Sequence, residues 1–437
     1  MTKTALSRRQ FLRSGVSAAI VAVGFPHVVS ASALGKAGAV AASERIVMGC
    51  IGVGGRGTGV MRGFLGRDDV QVVAVCDVDQ KQRDKAKKLV DDKYGNSDCR
   101  AYLDFREVIA RGDIDALSLA MPDHWHSIPA IMGAQAGKDI YAEKPLARTI
   151  YEGRAMVNAV QRYNVVFQTG SQQRSSSNFH RACELVRNGR IGKVHRVEVG
   201  LPTGRPGTTL PVAPVPEGLD WDFWLGPAPW RPYQAFGRNG PHWDWRWIMD
   251  YSGGQLTDWA GHHIDIAHWG LGLSRTGPVE IEGKGVYPTD GIYDVPIEYK
   301  FTCRYADPAF AGVMTVANNK QIPQGTKWYG EKGWIYVNRG KLQADPPDVL
   351  KEVISPNEIK LYESRDHQGN FLECVKSRKE TIAPIEVGHR SISVGLLGEI
   401  AMLTEQKLRW DPDKERFINS DQANTMLSRP MRSPWHL

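Results

Sequence analysis

Ile51-Gly52-Val53-Gly54-Gly55-Arg56-Gly57 follows a short apolar run at 45–51 and opens a helical pattern. The stretch fits GxGxxG, in which each glycine has its own mechanical duty. Gly52 permits a tight turn, Gly54 lets backbone approach a bound pyrophosphate, and Gly57 lets helix and strand pack closely. Amide donors at the start of that helix, around Gly55 and Arg56, lie at its positive end and suit a phosphate. The next β-branched run, 70–76, stops at Asp77. Asp77 stands at the distance past Gly57 that a ribose-binding acid keeps from this turn. A carboxylate at that position accepts hydrogen bonds from an adenosine ribose and repels a 2′-phosphate. Strand, turn, helix and acid together predict a dinucleotide site that takes NAD, with NADP disfavoured. A turn or helix-cap role is the structural alternative for Asp77.

Working outward, 44–170 alternates strand-like runs (45–51, 70–76, 116–120, 140–142, 165–169) with helical stretches such as 150–161. This is the pattern of a parallel sheet, and it predicts an α/β Rossmann domain over 44–170. After Lys193 the pattern changes to alternating apolar and polar positions. Strands are expected at 295–305, 312–318 and 334–337, and helices at 253–271, 370–377 and 390–406. The segment 171–437 is therefore expected to form an α+β domain with a mainly antiparallel open sheet, its C-terminal helices packing back. Within it, 203–250 is rich in Pro, Gly and Trp, with Trp221, Trp224, Trp230, Trp243, Trp245 and Trp247 close together. Tryptophans supply contact area to sparse loop cores, and one or two could instead face a pyranose.

The chain has 437 residues, 42% of them hydrophobic and 24% charged, as in ordinary globular proteins. No run reaches the ~20 apolar residues of a membrane span. The net charge is +7, but the segment 1–33 holds Lys3, Arg8, Arg9 and Arg13 and no acid, so the remainder carries 7 − 4 = +3. No basic, aromatic-studded stripe exists, and nucleic acid is not expected as a partner. The segment 1–33 reads as a twin-arginine leader. Ser7-Arg8-Arg9-Gln10-Phe11-Leu12 precedes a weakly apolar stretch, and Ala31-Ser32-Ala33 offers a cleavage site. The expected address is the periplasm or cell envelope. The six cysteines are scattered without a CxxC pair, which argues against a disulfide framework or a zinc site.

Three further segments carry chemistry. Leu119–Ser127 reads LAMPDHWHS and follows a buried run; Glu143-Lys144-Pro145 follows the next one. Both turns belong at the carboxyl ends of parallel strands, where open α/β sheets bind ligands. A solvated ion pair in a surface loop is the alternative for Glu143 and Lys144. The third, Gly253-Gly254-Gln255-Leu256-Thr257-Asp258-Trp259-Ala260-Gly261-His262, places Asp258 and His262 at i, i+4 on one predicted helix face. Without a third ligand at suitable spacing no metal is expected.

The ordered set GVGGRG, CDVD, MPDHWH, EKP and GGxxxDxxxH resembles the Gfo/Idh/MocA oxidoreductases over nearly everything from residue 44 onward. The resemblance implies a Rossmann domain followed by an α+β domain whose open sheet often joins copies into dimers or tetramers. It implies that Lys144 is the catalytic lysine, Glu143 a nicotinamide-ribose contact, and Pro122 and His126 parts of the cofactor wall. Asp258 and His262 match the aspartate and histidine that handle the substrate hydroxyl. His262-His263 and the Trp-rich segment depart from the general pattern and leave the substrate open.

Oxidation of a secondary alcohol needs a base for the hydroxyl proton while a hydride leaves the same carbon. Histidine suits the base and a lysine ammonium suits the developing alkoxide; the reverse assignment also satisfies the chemistry. Free NAD is not expected outside the cytoplasm, so an exported enzyme must hold its cofactor tightly and regenerate it in place. Alcohol–ketone interconversion on a sugar, glycoside or polyol meets that demand. NAD-dependent glycoside hydrolysis through transient oxidation is the alternative, and a non-enzymatic NAD-binding sensor is a third.

Overall fold

In the computed structural model, which describes residues 40–237 and 240–437, the N-terminal apolar runs become six strands. These are β1 (Ile46–Ile51), β2 (Val70–Cys76), β3 (Arg100–Tyr102), β4 (Ala116–Leu119), β5 (Asp139–Ala142) and β6 (Phe167–Thr169). They pair in parallel in the order β3-β2-β1-β4-β5-β6, the doubly wound arrangement. β4, β5 and β6 are buried throughout and β1 nearly so, because helices cover both faces of such a sheet. The expected leader lies outside the described residues. Short, largely exposed β3 has no apolar signature by which a sequence could announce it.

Strand register sets the site. Ile51 pairs with Cys76 and with Leu119, and Leu119 pairs with Ala142. The next residue along each strand, Gly52, Asp77, Ala120 and Glu143, therefore emerges in one row at one edge of the sheet. Helix α1 (Gly55–Leu65) rises from that row and buries Val60, Met61, Phe64 and Leu65, an i, i+3, i+4 stripe.

The second sheet contains β7 (Val194–Leu201), β8 (Glu280–Val286), β9 (Glu298–Arg304), β10 (Val313–Asn318), β11 (Gly325–Gly330), β12 (Gly333–Asn338), β13 (Lys341–Asp345), β14 (Leu408–Asp411) and β15 (Arg416–Phe417). Their order is β13-β12-β11-β7-β10-β9-β8-β14-β15. Only β7 and β10 run parallel; the other pairs are antiparallel. Burial alternates along β9, so one face packs and the other looks outward. Both sheets belong to one compact unit spanning 46–437.

The stretch expected as one helix over 253–271 is divided. It forms α2 (Gly254–Trp259), a π-turn at Ala260–Ile264 and α3 (Asp265–Leu271). A π-turn inserts an extra residue into the helical ladder, so the simple i, i+4 face assigned to Asp258 and His262 does not describe it. Close contacts fix these helices to the sheet. A Cβ at Gly270 would lie 2.8 Å from the Trp328 ring, and one at Gly398, on the long helix Ile385–Thr404, would lie 2.6 Å from Phe301.

Trp221, Trp224, Trp245 and Trp247 are buried with Tyr233, Ile248 and Tyr251 in a satellite core. Trp230 and Trp243 remain exposed. All six cysteines are buried and free. No described helix is long and apolar enough to cross a membrane.

Candidate active site

The glycine turn has the three properties its spacing demands. Gly52 has φ +77°, a left-handed value that side chains disfavour. A Cβ on Gly57 would stand 1.7 Å from the Gly52 carbonyl oxygen, whereas at Gly54 and Gly55 it would meet nothing within 4 Å. The first and third glycines are packed against backbone, and the middle two face open space at the amino end of α1. That space belongs to a cavity of about 450 Å³ lined by Gly52, Gly54, Gly55, Arg56, Asp77, Pro122, Glu143 and Lys144 among others. Its size is that of a small-molecule site.

Asp77 has a structural duty and keeps capacity for a ligand. Its carboxylate accepts from the Val53 amide at 2.9 Å and the Asp79 amide at 3.0 Å, tying the glycine turn to β2. Burial raises its pKa, opposed by the Asp79 amide and by His242. Carboxylate oxygens can accept more than one hydrogen bond each, so lone pairs remain for a ribose. The fit to a dinucleotide is complete: open amides for the pyrophosphate, an acid for the ribose, and a cavity joining them.

The Trp-rich segment closes over this end, a contact with no sign in the sequence. The Gln80 amide donates to Gly218 O at 2.8 Å and the Asp220 amide to Val78 O at 3.1 Å. His242 Nε2 meets Asp79 Oδ2 at 2.8 Å.

At the other end, the loop after β4 supplies Pro122 and His126. Pro122 lines the cavity. Buried His126 lies behind it, with Nδ1 2.7 Å from Pro145 O and Nε2 2.8 Å from Met121 O, so it ties the two loops together. Asp123, which the motif offers without singling it out, also lines the cavity and accepts from Ser252 Oγ at 2.7 Å. Burial pushes its carboxyl up to about 6, against the pull of His126.

The loop after β5 supplies Glu143 and Lys144. Buried Glu143 accepts from Arg56 Nη2 at 2.7 Å and from Gln172 Nε2 at 2.9 Å. The two neighbours do not form a solvated pair with each other; Glu143 points to Arg56 and Lys144 to Asp258. Lys144 Nζ donates to Asp258 Oδ1 at 2.7 Å and to the Asp258 carbonyl at 3.1 Å. Burial would raise the Asp258 carboxyl, but Lys144 and Arg246 outweigh it and hold it below its ordinary value.

His262 stands beside them in the π-turn. A Cβ on neighbouring Gly261 would lie 3.2 Å from Lys144 Cβ, so the lysine stem lies along this turn. The His262 ring packs edge-on to Trp259 with centroids 5.3 Å apart. Its Nδ1 is buried without a partner among the described residues. The Asp258 carboxylate is engaged by Lys144 rather than by this ring. Burial, then the cations Lys144 and Arg339, drive the His262 pKa well below its ordinary value. At neutral pH the ring is uncharged and has a lone pair to use. Buried His263 stacks on Trp259 at 5.3 Å.

Two arginines complete the setting, and neither carries a motif that singles it out. Arg246 lies between Trp243 and Trp245, its guanidinium 4.6 and 4.4 Å from their ring centroids, and its Nε is 3.8 Å from Asp258 Oδ1. Arg339, in the β12–β13 turn, lies 4.7 Å over Trp259. The only signals are an arginine among tryptophans (Trp245-Arg246-Trp247) and an Asn-Arg-Gly turn.

Comparison with known proteins agrees with this fold. The profile described as oxidoreductase family, NAD-binding Rossmann fold matches residues 46–171, and that of the family's C-terminal alpha/beta domain matches 178–437. Levoglucosan dehydrogenase from Pseudarthrobacter phenanthrenivorans is 32% identical over 170 residues, covering 39% of this chain and 36% of its own. Myo-inositol 2-dehydrogenase from Thermotoga maritima is 31% identical over 153 residues, 35% of this chain and 44% of its own. A glycosyl hydrolase family 109 protein from Shewanella pealeana is 32% identical over 174 residues, 36% and 37% of the two chains. The matches thus span less than half the length of these relatives. The WlbA dehydrogenase from Bordetella pertussis, solved with NADH and UDP-GlcNAcA, shares the fold with TM-score 0.61 and 18% identity over 84% of this chain and 99% of that one. With both halves matched in order and the glycine turn, Asp77 and the cavity fitted to a dinucleotide, the chain belongs to the Gfo/Idh/MocA oxidoreductase family and carries its NAD-binding Rossmann fold.

Proposed function

We propose that the protein interconverts a secondary alcohol and a ketone on a sugar, glycoside or polyol by hydride transfer, holding its NAD tightly. The observation that carries this reading is the Lys144–Asp258 pair beside an uncharged, unbonded His262, with Lys144 lining the dinucleotide cavity. When bound, NAD supplies the acceptor for the hydride. Lys144, anchored by Asp258, presents its ammonium to charge growing on the alcohol oxygen, an effect of several kcal/mol in a water-poor site. His262 is placed to take the hydroxyl proton. Buried His126 holds the loops after β4 and β5 together, and buried Glu143 holds Arg56 of α1.

The twin-arginine pattern in the segment 1–33 supports export to the periplasm or cell envelope, and the contacts of Gly218, Asp220 and His242 beside Asp77 agree with a cofactor that stays in place. The half-buried sheet face carrying Tyr329, Trp334 and Tyr336 is the surface expected to join copies as a dimer or tetramer. The likeness to a glycosyl hydrolase family 109 protein favours one second reading, in which the hydride returns to the same substrate after a glycosidic bond has been cleaved.

The test is absorbance near 340 nm after adding sugars, glycosides and inositols to purified protein without added NAD. A rise supports net oxidation. Release of nitrophenol from nitrophenyl glycosides with no lasting rise favours hydrolysis. Neither signal, with Lys144→Ala indistinguishable from wild type in ligand binding, overturns both.

A further inference from the structure

The region around Lys144 and His262 holds more positive charge than its carboxylates neutralise. Asp258 is engaged by Lys144 at 2.7 Å and Glu143 by Arg56 at 2.7 Å. Arg246 and Arg339 are left with the longer-range pull of the Asp258 carboxylate, which Lys144 already holds. Arg246 is only 18% exposed and its nearest carboxylate oxygen, on Asp258, is 3.8 Å away, beyond hydrogen-bond length. Its side chain donates no hydrogen bond among the described residues, and two indole faces hold it in position. Arg339 has one weak contact, Nε to the Gln173 side-chain oxygen at 3.3 Å, and its guanidinium lies 4.7 Å from the Trp259 ring centroid. Burial and the neighbouring Arg56 hold its guanidinium below the usual range, against the pull of Asp258. Asp123, the other carboxyl that senses Arg246, is committed to Ser252 and is itself raised by burial.

A guanidinium has five donors in a planar fork, and those of Arg246 hydrogen-bond no described residue while two indoles hold the group in position. The indoles position the two forks without using those donors, because cation–π contacts occupy the guanidinium face. This is the arrangement of a site awaiting an oxyanion. The pyrophosphate of NAD is one claimant, since Arg246 lines the same cavity as Gly54 and Gly55. Those amides at the start of α1 already serve it, however, and Arg339 comes from the opposite sheet, over Trp259 and beside His262.

Resting on the sugar-oxidoreductase reading above, we propose that the substrate is an acidic sugar whose anionic group is received by Arg246 and Arg339. A uronic acid carboxylate is the first expectation; a sulfate or phosphate ester has the same chemistry. Bidentate pairing would orient the sugar over Lys144 and His262, and neutral sugars would leave both arginines unpaired.

The experiment is titration calorimetry on the protein with its co-purifying cofactor. The ligands are methyl glucuronide and methyl galacturonide, the matching methyl glucoside and galactoside, and the 6-sulfates and 6-phosphates of the latter pair. The expected result is that at least one acidic glycoside binds about tenfold or more tightly than its neutral partner, with the gap shrinking in high salt. Among the acidic ligands, whichever class binds tightest identifies the source of the anion. Arg339→Gln, on an exposed turn, should close most of the gap while the cofactor content stays unchanged, and Arg339→Lys should restore part of it. Equal binding of acidic and neutral partners, or no binding of any acidic ligand at millimolar concentration, overturns the proposal. So does a gap that survives both Arg246→Gln and Arg339→Gln; cofactor loss in Arg246→Gln alongside that surviving gap would assign Arg246 to the pyrophosphate. Arginine-dependent binding without any change at 340 nm or any glycosidic cleavage would uphold the anion site and sink the redox reading instead. Oxidation of neutral and acidic sugars alike would do the opposite.

Discussion

Lys144 Nζ lies 2.7 Å from Asp258 Oδ1 and 3.1 Å from the Asp258 carbonyl oxygen, across 114 residues of chain. The ammonium is thereby fixed at the cavity wall, with its stem along the turn that carries His262. Lys144→Met removes the charge but keeps the stem along Gly261. Its expected effect is a fall of about 10³-fold in kcat/KM, with the bound cofactor retained, read by stopped-flow absorbance at 340 nm. Asp258 keeps Arg246 as a neighbour, so the accompanying loss of stability should be modest, about 1–3 kcal/mol.

Buried histidines make the fold acid-sensitive. Burial lowers His263 to about 3, His268 to about 4 and His367 to about 4. Their folded values lie below that of an unfolded histidine, about 6.5. Between these limits the unfolded chain binds protons that the folded chain refuses. Stability is then complete above about pH 6.5 and falls as the pH drops toward 4, by about 2–3 kcal/mol per residue. Chemical denaturation across that range checks the sign. His263→Phe keeps the stack on Trp259 and removes two unsatisfied nitrogens. Its curve should be flatter, and its stability at pH 7 at least that of wild type.

The glycine turn separates folding from binding. Gly54→Val puts a side chain into open space where the pyrophosphate is expected, so the cofactor should no longer co-purify while the apo fold survives. Gly57→Val drives a side chain into the Gly52 carbonyl and should cost about 2–5 kcal/mol. Mass spectrometry of released nucleotide and a melting curve distinguish the two. A Gly54→Val protein still loaded with NAD would contradict the placement.

Asp77 should set the preference for NAD. Replacing it with Ser keeps a short polar side chain near the Val53 amide and removes the charge. The ratio of NADP to NAD affinity, measured by fluorescence on stripped protein, should rise by about 10-fold or more.

Export should depend on the arginine pair. Arg8→Lys with Arg9→Lys preserves the charge and removes the twin-arginine signature, so the protein should accumulate in the cytoplasm. Fractionation of bacterial cells followed by immunoblotting reads the outcome; unchanged periplasmic yield would count against the leader.

Local chemistry made the N-terminal half readable. GxGxxG, the acid that closes the following strand and the apolar runs are each contiguous, and a parallel sheet covered on both faces writes its strands as unbroken apolar segments. The strands at β1, β2, β4 and β5 and the turns after them followed directly. Motifs of fixed spacing also offered the candidates Glu143 and Lys144 and, in the C-terminal half, Asp258 and His262. Burial of most tryptophans at 203–250 was legible too, since a Pro- and Gly-rich stretch has little else from which to build a core.

Other features arose only when distant segments met. The π-turn at Ala260–Ile264 changes how Asp258 and His262 face one another, and helical periodicity contains no sign of it. Lys144 took Asp258 as its partner, leaving His262 unbonded, because the packing of two sheets and not the spacing of a motif decides which buried charges meet. Arg246 and Arg339 come from a tryptophan-rich loop and a hairpin tip, where an arginine is ordinarily a solvated surface residue. The amino-acid sequence by itself determined the dinucleotide cradle, since its parts are neighbours along the chain. The charge balance around the reacting carbon was settled by tertiary structure alone, since electrostatic interaction depends on distances through space that no local pattern records.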